Sequence, residues 1–153
     1  MSPHPRQTQS ILIIEDSEDD YEATIRALKK TNFHNPVFWC KSGQEALDFL
    51  KHSGAHKDKT NPMPGLILLD LNMPGLDGRK TLQQIKENAT LKKIPVIVLT
   101  TSNDERDIEA CYRIGANTYV QKPVSFDGLI EAIKRLKEYW FEIALLPKEN
   151  GNG

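Results

Sequence analysis

Four stretches of this chain carry side chains that could do chemistry together: Glu15-Asp16, Asp70, Thr100-Thr101-Ser102 and Lys122. Each follows an apolar run. Leu66 to Leu69 ends abruptly in Asp70, and Pro74, Gly75 and Gly78 then force the chain out of regular structure. Ile11 to Ile14 ends in Glu15-Asp16, Pro95 to Leu99 in Thr100, and Thr118 to Gln121 in Lys122-Pro123. An apolar run without alternation suits a strand covered on both faces, as in a parallel sheet, whose carboxyl edge is where ligands bind. Asp70 alone reads equally well as a loop cap. Three carboxylates gathered there change the odds, because charges about 4–5 Å apart repel by roughly 3–4 kcal/mol per pair at an effective dielectric near 20. Protonation, a hard cation such as Mg²⁺, or the Lys122 ammonium would each relieve that repulsion. A carboxylate flanked by metal, lysine and a threonine hydroxyl suits phosphoryl transfer onto Asp70 itself.

The elements that must position these groups can be read in order. Ser10 to Ile14 predicts a first strand. Glu18 to Lys30 predicts a helix, with Tyr21, Ile25 and Leu28 at helical spacing and charges matched to the helix dipole. Val37 to Cys40 reads as a second strand, and Ser42-Gly-Gln-Glu45 as a capping box opening a helix with Ala46, Leu47, Phe49 and Leu50 inward. A polar loop from Gly54 to Gly65 precedes the central strand, Leu66–Leu69. Arg79 to Asn88, Asp104 to Ile114 and a last segment capped by Ser125 complete the helices, the last carrying Leu129, Ile133, Leu136, Trp140 and Ile143. Five strands alternating with five helices predict a single α/β domain, a doubly wound five-stranded parallel sheet in the order 2-1-3-4-5. The expected bounds are a loose tail over 1–9, the domain with an extended C-terminal helix over 10–146, and a second tail over 147–153.

Composition narrows the class. The 153 residues amount to about one domain. Twenty Lys and Arg against 21 Asp and Glu give a net charge of −1, without the basic excess of a nucleic-acid surface. Cys40 and Cys111 form no CxxC and read as reduced, consistent with a cytoplasmic protein. No apolar run approaches a membrane span, and none at the start suits a signal peptide. His52 and His56 have i,i+4 spacing but lack a third ligand. Gly75 to Thr81 has the wrong glycine spacing for a phosphate loop, and Lys51 to Lys59 reads as a solvated loop.

Taken together, Glu15-Asp16, Asp70-Leu-Asn72-Met-Pro-Gly-Leu-Asp-Gly78, Thr100 and Lys122-Pro123 resemble the receiver domain of two-component response regulators, over about Ser10 to Leu136. The resemblance implies a flavodoxin-like fold and a phosphoryl group accepted on Asp70 from a histidine kinase. It implies Mg²⁺ held by Glu15, Asp16, Asp70 and the backbone carbonyl of Asn72. Thr100 would bind the phosphoryl group, Tyr119 would be the switching aromatic, and Lys122-Pro123 would be joined by a cis peptide. Thr101 stands where many receivers have Ala or Gly, which would alter access to the phosphoryl group and its lifetime. The long loop before the central strand and the segment Tyr139-Trp140-Phe141 to Leu146-Pro147 further resemble the cyanobacterial phytochrome-associated response regulators, stand-alone receivers partnered by a light-sensing kinase. With no output domain expected past that helix, signalling would run through protein contacts. The apolar cluster Tyr139, Trp140, Phe141 and Leu145 is the expected homodimer interface. An enzymatic alternative, a haloacid-dehalogenase-type phosphatase, would need a second Asp where Asn72 stands, and an amide cannot shuttle a proton. A degenerate receiver that only binds is disfavoured by the complete residue set.

Overall fold

The computed structural model of the chain describes residues 9–73, 75 and 77–143, the last two by backbone alone. The expected tails over 1–8 and 147–153, and the helix end containing Leu145, lie outside the described residues. Gln9, expected within the tail, is tied down: Asn35 Nδ2 donates to its carbonyl at 2.7 Å.

The elements run β1 (Ile11–Ile14), α1 (Glu18–Lys30), β2 (Val37–Cys40), α2 (Gly43–Lys51), β3 (Leu66–Leu69), α3 (Gly78–Glu87), β4 (Val96–Thr100), α4 (Glu105–Ile114), β5 (Thr118–Gln121) and α5 (Phe126–Lys137). The strands form one parallel sheet in the order β2-β1-β3-β4-β5, as expected. Every residue of β1, β3 and β4 is buried, while β2 and β5, at the edges, are mostly half-buried. Alternation along the central strands divides the core into two layers. Leu12, Ile14, Ile67, Leu69, Val96 and Val98 meet α2, α3 and α4 on one face. Ile11, Ile13, Leu66, Leu68, Ile97 and Leu99 meet α1 and α5 on the other. Each such side chain, fully buried, contributes about 1.5–3 kcal/mol, which is why the strand register is held firmly.

Local chemistry sets the helix starts. Ser17, Ser42, Asp77, Asp104 and Ser125 each accept a hydrogen bond from a backbone N–H in the first turn of the helix they open.

The end of the chain departs from the expected regular helix. After Lys137 the backbone widens into a π-helical turn over Glu138–Ile143. An i→i+5 turn shifts the phase of everything beyond it by about one residue. Phe141, rather than Trp140, therefore points fully inward: it is 4 % exposed and meets Phe33 edge-on at 5.3 Å between ring centroids. Trp140 is half-buried against the same layer.

Candidate phosphoryl-acceptor and metal site

The acidic turn follows β1 directly. Glu15 N–H still donates to the Cys40 carbonyl at 3.0 Å, so Glu15 is held in the ladder while its side chain enters the sheet edge. Ser17, two residues on, donates its N–H to Glu15 Oε2 at 3.3 Å and caps α1 with its hydroxyl. Asp70 sits just past β3, its N–H donating to the Ile14 carbonyl at 3.0 Å, which brings the two strand ends side by side. Gly78 closes the loop after Asp70. A Cβ there would stand 2.4 Å from Leu71 Cα and 2.6 Å from the Asp70 carbonyl oxygen, so only glycine lets α3 start this close to β3.

Carboxylate oxygens of Glu15, Asp16 and Asp70 lie within 4.8 Å of one another, the one such acidic or His/Cys group among the described residues. Glu15 and Asp70 are 4 % and 7 % exposed, and Asp16 is exposed. Their donor set, hard oxygens on two adjacent strand ends with one face toward solvent, fits an oxygen-seeking divalent cation. Lys122 Nζ reaches this group from β5 and donates to Glu15 Oε1 at 2.6 Å and Asp20 Oδ2 at 3.2 Å, with Asp70 Oδ2 at 3.9 Å. Burial pushes the Glu15 carboxyl up from its ordinary value and the Asp70 charge adds to that, against the opposing pull of Lys122. Burial also presses on the Lys122 ammonium, but its hydrogen bond to Glu15 and the charges of Asp70, Glu15 and Asp20 outweigh it, so its pKa is raised and the amine stays charged.

On the other side of Asp70, Asn72 is a brace. Its N–H donates to Asp70 Oδ1 at 3.3 Å, and its amide donates to the Thr100 and Thr101 hydroxyls at 3.4 and 3.3 Å. Thr100, the last residue of β4, is fully buried, whereas Thr101 is exposed. Beyond them, Tyr119 is half-buried on the core and donates its hydroxyl to the Ser102 carbonyl at 2.9 Å. The Ser102 hydroxyl donates to Asp107, which also pairs with Arg79 at the start of α3.

The structure thus brings together Glu15, Asp16, Asp70, Asn72, Thr100, Thr101 and Lys122, with Tyr119 one step away. Two expectations need correction. The Lys122–Pro123 peptide is trans, since no cis bond occurs among the described residues. Proline makes the cis form inexpensive without making it preferred, and trans retains an advantage of about 0.5–1 kcal/mol. Phe141, expected at a dimer interface, is buried within its own domain, while Tyr139 is 52 % exposed and stacks edge-on with Trp140. His52 and His56 fasten the loop before β3, the first bonded to the Lys59 carbonyl and the second to Asn61. Asp20 went unnoticed in the sequence because an acid in the first turn of a helix already has a reason to be there, the helix dipole.

The chain is similar to known proteins over nearly its whole length. Residues 11–134 match the family described as the response regulator receiver domain. The chain is 37 % identical to the response regulator Rcp1 of Synechocystis sp. over 147 residues, covering 96 % of this chain and 99 % of Rcp1. The crystal structure of the phosphorylated cyanobacterial phytochrome response regulator RcpA superposes with a TM-score of 0.85 at 36 % identity, covering 92 % of this chain and 99 % of RcpA. The Mn²⁺-bound form of Rcp1 superposes with a TM-score of 0.84 at 37 % identity, with the same coverage. A family match over most of the length and close superposition on solved relatives lead to one conclusion: this protein belongs to the response regulator receiver-domain family.

Proposed function

We propose that the protein accepts a phosphoryl group on Asp70 from the phosphohistidine of a sensor histidine kinase and passes the signal on through protein contacts. The observation that carries this reading is the setting of Asp70: a buried carboxylate at a strand end, within 4.8 Å of two further acids, 3.9 Å from the Lys122 ammonium and braced by Asn72. In the transfer, an Asp70 oxygen forms a bond to phosphorus as the N–P bond of the phosphohistidine breaks, and the departing imidazole keeps the bonding pair and takes a proton from solvent. Glu15, Asp16, Asp70 and the Asn72 carbonyl would hold Mg²⁺, which when bound supplies positive charge beside the transferred oxygens. Lys122 offers the second positive charge from the β5 side.

The same arrangement supports a switch. A phosphoryl group brings nearly two negative charges and several acceptor oxygens. It would compete for the Thr100 and Lys122 donors, releasing Thr100 from Asn72 and Lys122 from Asp20, and the shift of Thr100 would draw Tyr119 inward from its tether on Ser102. The similarity to RcpA, a phytochrome response regulator, supports a phytochrome-type photoreceptor kinase as partner. The half-exposed Tyr139 and Trp140 support a homodimer built on that end of the molecule, and near-neutral net charge gives no support to nucleic-acid binding. Among the described residues no helix is long and apolar enough to cross a membrane, in keeping with a cytoplasmic receiver.

Phosphotransfer from labelled histidine kinases, with phytochrome-type kinases assayed in red and far-red light, tests the reading. Label is expected on the parent and absent from Asp70→Asn. Label persisting on that variant would overturn the assignment.

A further inference from the structure

Trp39 has no role in the site as described, yet its side chain reaches the backbone of the acidic turn from the neighbouring strand. It lies on edge strand β2, paired in register with Ile13. Its indole Nε1 donates to the Glu15 carbonyl at 2.8 Å. Its ring stacks on Tyr21 of α1, 3.9 Å between centroids and 4° from parallel, and Lys41 Nζ lies 4.8 Å from the ring centre. Tyr21 in turn donates its N–H to the Ser17 carbonyl at 2.9 Å. Trp39 thus holds the Glu15 end of the turn Glu15-Asp16-Ser17, and its ring leans on the first turn of α1, the helix that leaves the Ser17 end.

The consequence for Asp16 is geometric. The Glu15 carbonyl and the Asp16 nitrogen belong to one rigid peptide plane. A donor that fixes the carbonyl oxygen fixes the direction in which Asp16 leaves the strand. Glu15 N–H is already held by Cys40, so β2 clamps Glu15 on both sides. Asp16 is exposed, so the peptide plane before it has a large share in setting where its carboxylate points. An edge strand does not need a Trp at this register for burial alone, since its neighbours Val37 and Phe38 are only half-buried. A half-buried indole does need an acceptor, and here the acceptor is the peptide that presents the acids.

We propose that Trp39, held by its stack on Tyr21, is a positioning residue for divalent-cation binding at Glu15, Asp16 and Asp70. The inference rests on reading those three carboxylates as cation ligands. Trp39→Phe keeps a six-membered ring for the stack and deletes the N–H donor with the pyrrole ring that carries it. Tyr21→Leu keeps the donor and deletes the stack. Binding is measured directly with Mn²⁺, free ion being counted by electron paramagnetic resonance, and phosphoryl uptake is then followed across a Mg²⁺ titration.

The expected result for either variant is a half-saturating cation concentration raised roughly threefold to tenfold, the scale of one ordinary hydrogen bond. Uptake at saturating cation should return to the parent rate, because the nucleophile and Lys122 are untouched. If Trp39→Phe does not fold, Tyr21→Leu carries the test. Unchanged cation affinity in a folded variant overturns the clamp, and so does a loss of rate that saturating cation does not restore, which marks a merely structural residue. A parent that binds no Mn²⁺ overturns the cation site as well, so the two failures are told apart.

Discussion

Gly78→Ala is the sharpest test of how the acceptor loop is built. The added Cβ would sit 2.4 Å from Leu71 Cα and 2.6 Å from the Asp70 carbonyl oxygen, at least 0.8 Å inside the 3.4 Å where ordinary contact begins. Both neighbours are backbone, so no side chain can swing away. Relief requires the start of α3 to move off the end of β3 by about 1 Å, and α3 is anchored by the fully buried Leu82 and Ile85. Overpacking of this kind costs about 2–3 kcal/mol, or a fall of roughly 5–10 °C in Tm for a chain of this size. The sign is diagnostic. A glycine in a helix that met no obstacle would gain about 0.5–1 kcal/mol from the same change. Because the clash falls on the Asp70 carbonyl and Leu71, the loop bearing Asp70 is pushed as well, and phosphoryl uptake should drop on the order of a hundredfold if the carboxylate moves by the full distance. The assay is thermal unfolding in EDTA, which removes any contribution from bound metal, followed by a timed phosphotransfer. A Tm equal to or above the parent would refute the close approach and with it this account of the loop. Gly75 is the control: it needs its positive φ of 75°, but nothing lies within 4 Å of an added Cβ, so Gly75→Ala should cost only about 1–2 kcal/mol of backbone strain and leave uptake near the parent.

Asp16→Ala removes one like charge from a crowded trio, so it should weaken Mn²⁺ binding while leaving Tm in EDTA at or above the parent; marked destabilisation in EDTA would make Asp16 structural. Thr100→Val is close in shape and loses only the hydroxyl that accepts from Asn72, so stability should change by about 1 kcal/mol or less. The variant should still take up phosphate without the change in Tyr119 burial, and a parent-like change would contradict the switch. Phe141→Ala should cost about 3 kcal/mol by opening a cavity beside Phe33, whereas Tyr139→Ala should be nearly neutral in a thermal melt. Burial pushes the Cys40 thiol up to about 12 and Cys111 up to about 11, so few thiolates exist in the native state near neutral pH. Both should resist iodoacetamide until the chain unfolds, and rapid native labelling would show that the core opens readily.

The fold was legible because two kinds of local signal agreed. Strands such as Leu66–Leu69 are unbroken apolar runs, and the helices between them open on Ser or Asp caps, so the alternation of elements is written residue by residue. The acids, hydroxyl and lysine were legible for a related reason. In a parallel sheet every strand end shares one edge, so position along the chain translates directly into position in space. What was not legible depends on side-chain geometry across that edge. Nothing in the sequence distinguishes a Lys122 that rests 3.9 Å from Asp70 from one that bonds Glu15 and Asp20 first. The π-helical turn that exchanges Trp140 for Phe141 leaves the composition of the helix unchanged and alters only its phase.

The contact between Trp39 and Glu15 joins residues 24 apart, one side chain and one backbone carbonyl, a pairing that no hydrophobic periodicity encodes. These features share a physical character. Each concerns how a charged or polar group already present is held at rest, so each adjusts the site without changing which residues compose it. The residues around the site, Asp20, Trp39, Tyr21 and Asn72, are therefore the ones that set how its charged groups rest.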